Sequence, residues 1–134
     1  MVPPRPDITS REQITALVDA FYAGIRADRA LGPIFDDVAH VNWDEHLPRM
    51  YDFWETVLLG AASFKGNPLA IHRALARITP LPAELFARWE LLFHATIDRL
   101  FLGPVADNAK RSATRIAFTM QVHIGHDRLM GVAL

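Results

Sequence analysis

Four residues in this chain of 134 could bring chemistry to one interior: Tyr22, His46, His72 and Trp89. Each falls on or beside the apolar stripe of a different helical segment. One such residue would be ordinary, because buried Tyr and Trp usually find a partner nearby. Four polar handles converging among apolar walls describe a ligand pocket. His72 is the most informative of them. It lies in Gly66-Asn-Pro-Leu-Ala-Ile-His72-Arg-Ala-Leu75, where Asn67 suits a helix N-cap and Pro68 the first helical position. Thr79-Pro80-Leu81-Pro82 must end that helix. A short apolar helix therefore aims one imidazole inward, either as a hydrogen-bonded core residue or as a metal ligand.

Several chemistries are excluded. The chain has no cysteine, so disulfides, thiolate catalysis, iron–sulfur clusters and cysteine zinc sites are ruled out. No helical His-Glu-x-x-His pair is present, as a zinc hydrolase would want, nor the paired Glu-x-x-His of a di-iron bundle. Asp44-Glu45-His46 is the nearest cluster, but consecutive helical residues face different ways, and the acids suit a helix N-terminus. A nucleophile elbow and a Gly-rich phosphate loop are likewise missing. A lone inward histidine facing an apolar cavity suits a flat cofactor, and haem is the natural candidate.

The elements that must position these residues are all helical. Ile14, Leu17, Val18, Phe21, Tyr22 and Ile25 define a first long helix over about 10–27, with capping-box patterns at Thr9–Glu12 and Ser10–Gln13. An irregular stretch leads from Leu31 to about Val41. Trp43, Leu47, Met50, Phe53, Trp54, Val57 and Leu58 define a second helix over roughly 43–59, in which Pro48 requires a late start or a kink. After the His72 helix, Leu85, Phe86, Trp89, Leu92, Phe93, Ile97, Leu100 and Phe101 mark a third long helix over about 83–102. A fourth carries Ala109, Ala113, Ile116, Ala117, Met120 and Ile124, with Gly125 as its expected C-cap. Residues 1–8 and 127–134 read as flexible tails. His40, His94, His123 and His126 read as structural or surface residues.

Length and composition agree with a single all-α domain over residues 1–134: 51% hydrophobic, 22% charged, formal charge −1. That charge gives no reason to expect nucleic acid or an anionic membrane as partner. No apolar run approaches the roughly 18 residues of a spanning helix, and the N-terminus lacks the apolar stretch of a signal peptide. A cytoplasmic location is the default expectation.

Over about residues 10–126 the sequence resembles the truncated haemoglobins, specifically their third group. The resemblance rests on Phe21-Tyr22, Leu31-Gly-Pro-Ile-Phe35, Trp43-x-x-His46, Phe53-Trp54, Gly66-Asn-Pro-x-x-x-His72, Trp89-x-x-Leu92-Phe93 and Gly125-His126. The glycine-pair motifs of the first two groups are missing. This resemblance implies a globin-like two-over-two helical sandwich around one haem b. It makes His72 the proximal iron ligand, with Tyr22 and Trp89 as donors to bound ligand. His46 matches the distal histidine, described in that family as a gate, and Phe35 the phenylalanine on the haem face. Met50, Phe53 and Trp54 match pocket-lining positions, Met50 replacing a branched aliphatic residue. Arg49 and Arg73 are candidates for the haem propionates or for a solvated helix face. His46 can point inward or to solvent.

The expected ligand is dioxygen or another diatomic molecule. Several distal donors favour slow release, which suits nitric oxide dioxygenation or a peroxidase-like reaction better than transport. Turnover would need a separate electron donor, since the chain has no flavin or nicotinamide motif. The alternatives are a gas or redox sensor acting through a protein partner, and a cofactor-free helical interaction module.

Overall fold

The computed structural model describes residues 4–129, and among them every regular element is helical. Helix α1 spans Arg11–Ala27 and buries all six residues of its predicted stripe, Phe21 and Tyr22 included. Its start is capped by Gln13, whose Oε1 accepts from the Thr9 backbone N–H at 2.5 Å and from its hydroxyl at 2.9 Å. Ser10, the N-cap, makes no side-chain cap bond. Asp28 follows the helix. Its Oδ2 accepts from the N–H groups of Ala30 (3.1 Å) and Leu31 (3.0 Å), and its Oδ1 accepts from Arg88 at 2.7 Å.

The expected irregular stretch contains a π-helical turn, Ile34–Val38, closed by Ala39 N–H to the Ile34 carbonyl at 2.8 Å. Helix α2, Trp43–Leu59, starts at its Asn42 cap and runs unbroken through Pro48. The proline's missing N–H leaves unpaired only the carbonyl of Asp44, on the exposed first turn, where water can reach it. Gly60 ends α2 in the left-handed conformation, φ 74°. Helix α3, Pro68–Ala76, is capped as anticipated, Asn67 Oδ1 accepting from Ala70 N–H at 3.1 Å. Helix α4 spans Ala83–Leu100.

Helix α5, Pro104–Leu129, departs from expectation at its end. It does not stop at Gly125, and residues 127–129 are helical rather than a loose tail; 130–134 lie outside the described residues. Two residues further on, Asp127 is buried and bonded to Arg73 of α3, and that contact favours continuing the helix. The N-terminal segment is also no loose tail over the residues described. Ile8 is fully buried, and the Leu102 N–H donates to the Pro6 carbonyl at 3.0 Å. Asp7 caps α5, accepting from Val105 N–H at 3.1 Å and Ala106 N–H at 2.9 Å. Gly103 permits this approach: its φ is +148°, and a Cβ there would lie 2.5 Å from the Asp7 carboxyl carbon.

The long helices form two pairs, α1 with α2 and α4 with α5, with α1 crossing α4 and α2 crossing α5. This is the two-over-two sandwich. Ala106, Ala109, Ala113 and Ala117 form the buried stripe of α5, and their small side chains let other helices approach closely. Trp54 stacks on Phe93 in the main core, centroids 4.7 Å apart. A second apolar cluster of Leu81, Phe86, Ala117 and Ile124 lies beyond, with Leu75, Ala76 and Met120 against it. Leu85 and Trp89 touch both clusters. No helix among the described residues is long and apolar enough to cross a membrane.

Candidate functional site

Helix α3 rests on α5 and has no comparable packing with α2 or α4. The facing residues are apolar yet only half-buried: Leu47, Met50, Phe53 and Val57 on α2, Leu69 and Leu75 on α3, Trp89 on α4. With α3 seated on α5 and not on α2 or α4, we read the gap between α2 and α3, bordered by these half-buried apolar side chains, as a cleft of the kind that takes a large apolar group.

His72 enters from the α3 side. Its Nδ1 lies 2.6 Å from the Pro68 carbonyl oxygen, one turn earlier. A carbonyl can only accept, so Nδ1 carries the proton and Nε2 keeps a free lone pair. Burial lowers the pKa of His72, and the bond to Pro68 acts weakly in the other direction. The imidazole is therefore neutral at neutral pH, which is the form a metal ion needs.

His46 enters from α2 and points inward. Its ring meets Tyr22 at 5.2 Å, Trp43 at 5.5 Å and Phe35 at 6.4 Å, each edge to face. Its Nε2 is buried with no hydrogen-bond partner. Burial, then the neighbouring His72 and Arg49, push its pKa down to about 4. An unpaired buried nitrogen costs about 1–3 kcal/mol, and a bound ligand would complete it. Tyr22 is 6% exposed, and burial alone raises its phenol pKa, with no charged or hydrogen-bonding neighbour contributing. Trp89 stacks on Phe93 at 5.8 Å and meets Phe21 at 5.7 Å; Phe21 in turn meets Tyr22 at 5.0 Å.

The other residues singled out in the sequence divide. Phe35 stacks on Trp43 at 5.9 Å and turns an edge to Tyr22 at 6.1 Å. Met50 and Phe53 are half-buried on α2, and Phe53 packs on Phe64 at 5.2 Å. Trp54 sits inside the core, 1% exposed, backing the wall rather than facing the cleft. Arg49 is exposed. Arg73 is engaged elsewhere: its Nε donates to Asp127 Oδ2 at 2.6 Å and its Nη2 to Oδ1.

Two contributors were not legible beforehand. Asp36, on the π-helical turn, accepts from the Trp43 indole N–H at 2.8 Å, while the Arg26 guanidinium lies over the Trp43 ring at 4.7 Å. Together they fix Trp43 against His46. Asp127 is the second. No periodic pattern marks either carboxylate.

Among the described residues no three His, Asp or Glu are grouped to hold a metal ion. The donor set on the α3 side is one imidazole, which suits a metal already held by a cofactor.

This two-over-two sandwich, with an imidazole on either side of an apolar cleft, is that of a globin. No family model matches the chain. It is 34% identical over 95 residues to the group 3 truncated hemoglobin of Campylobacter jejuni, covering 69% of this chain and 72% of that protein. The crystal structure of the group III truncated hemoglobin from Campylobacter jejuni aligns with a TM-score of 0.79 and 28% identity, over 90% of this chain and 94% of that one. The chain belongs to the group 3 truncated haemoglobin family.

Proposed function

We propose that the chain holds haem b in the α2–α3 cleft, with His72 Nε2 as its ligand to iron, and binds dioxygen on the His46 side. The relatives are haemoglobins by name, and the cleft has the apolar walls and, on the α3 side, the one imidazole with a free Nε2 that such a group requires. Haem held there by His72 would supply a redox-active iron able to bind a diatomic ligand.

The residues of this chain do the rest. The Pro68 carbonyl holds His72 in one tautomer and orientation. Tyr22 hydroxyl, His46 Nε2 and the Trp89 indole N–H offer hydrogen bonds to a ligand that gains negative charge. Apolar walls strengthen such bonds by excluding water. Two or three donors of about 1 kcal/mol each slow ligand release by roughly ten- to hundredfold. Slow release favours redox chemistry over carriage, so the reaction we assign is oxidation of nitric oxide to nitrate, or a peroxidase-like turnover, with electrons from a separate donor.

The observation that carries this reading is the buried, unpartnered His46 Nε2 beside Tyr22. The test is dioxygen release from the purified haem protein, wild type against Tyr22→Phe, with nitrate yield after mixing with nitric oxide. We expect release to quicken about fivefold on losing one donor. Unchanged release, or nitric oxide consumed without nitrate, would defeat the assignment.

A further inference from the structure

Helix α3 has little to hold it. Nine residues fall short of the roughly 12–15 an isolated helix needs, and no residue of Pro68–Ala76 is buried. Its helix neighbour is α5. Yet it carries His72, and a ligating side chain must be held to within about 0.5 Å by what supports it.

Arg73 supplies that support. It follows His72 directly, so the two side chains leave α3 about 100° apart. One turns to the cleft while the other reaches α5. There Arg73 forks onto Asp127 through Nε and Nη2, one nitrogen to each carboxylate oxygen. The Asp127 side chain is 8% exposed and lies 54 residues further along the chain. Among the described residues this is the one salt bridge that α3 makes. Two flat, parallel hydrogen bonds resist rotation of the helix as well as its departure. The continuation of α5 past Gly125 also acquires a reason, since a helix ending there would not deliver Asp127.

We propose that Asp127 is a positioning residue for His72: through Arg73 it clamps α3 to α5, fixes the helix rotation, and so sets how firmly the imidazole grips iron. The proposal rests on the haem reading above. It also gives Arg73 to the protein rather than to a haem propionate.

The test uses the full chain, with and without haem, as wild type, Asp127→Asn and Arg73→Lys. Three readouts are taken: amide hydrogen exchange of the haem-free protein, haem transfer to excess apomyoglobin, and the iron–histidine stretching band of the ferrous form. In Asp127→Asn we expect α3 amides to exchange about tenfold faster while α1 and α4 keep wild-type rates. Haem loss should quicken roughly ten- to hundredfold, as for other residues that orient a metal ligand, and the iron–histidine band should shift. Arg73→Lys keeps the charge without the fork and should fall between the two, and it decides the matter if Asp127→Asn does not fold. Wild-type α3 exchange and an unmoved band in the variants would overturn the clamp. So would faster exchange spread equally over α1 and α4, which marks general destabilisation. A wild-type chain that takes up no haem would instead overturn the haem reading.

Discussion

The His46 imidazole stands edge-on to the Tyr22 ring, 5.2 Å between centroids and 86° between planes, with Nε2 sealed off and unpaired. Its pKa of about 4 makes it neutral well below the usual 6.5. Dioxygen release is therefore expected to be flat from about pH 5.5 to 8, which stopped-flow measurements would check. An inflection near the usual value would place His46 in solvent. Stability follows the same shift. The folded pKa is depressed, so the unfolded chain binds the extra proton first. Stability of the haem-free protein should fall as pH drops from about 6.5 towards about 4, and His46→Phe should flatten that slope.

Replacing His72 with Ala removes the free Nε2 while leaving a half-buried position on α3. The expected result is a folded chain that does not retain haem through a desalting column. Absorption spectra would read the loss, and added imidazole should restore a histidine-like spectrum. Haem retained with an unaltered axial ligand would assign the bond to another residue.

Asp7 gives a prediction remote from the cleft. Burial alone would raise its pKa; the N–H groups of Val105, Ala106 and Ile8 outweigh that and lower it below the usual 3.8. Asp7→Ala should cost about 1 kcal/mol, the ordinary worth of a helix cap, measured by urea unfolding at neutral pH. The stability that Asp7 contributes is complete above about pH 3.8 and is lost as pH falls through the lower folded value. The gap between wild type and variant should therefore narrow in acid.

The two interior tryptophans should behave differently. Trp54 is 1% exposed and stacked on Phe93, so Trp54→Ala should cost about 3–5 kcal/mol of stability. That is a large share of the roughly 5–15 kcal/mol a domain has. Trp89 is half-buried beside the cleft, and Trp89→Phe should spare most stability while quickening dioxygen release. Thermal unfolding and release kinetics on both variants would separate the roles.

Helix identity was readable because burial in α1, α4 and most of α5 follows a period that side chains repeat several times. The proximal histidine was readable for a local reason, since Asn67, Pro68 and His72 lie within one and a half turns. What escaped were single carboxylates acting at long range. Asp7 caps a helix 98 residues away, Asp28 reaches Arg88 on α4, and Asp127 reaches back to α3. Each appears in sequence as one acid among fifteen. Gly125 misled for the same reason: a glycine ends a helix only when nothing beyond it has a partner to meet. The π-helical turn over 34–38 holds too few residues for any period to register.

The seat of Ile8 and Asp7 against the start of α5 has a consequence for the newborn chain. The partners of Asp7 are the backbone N–H groups of Val105 and Ala106, which leave the ribosome about a hundred residues later. Asp7 must wait, uncapped against α5, until that later stretch has emerged. Ile8, fully enclosed in the finished fold, is open to chaperones and proteases until then.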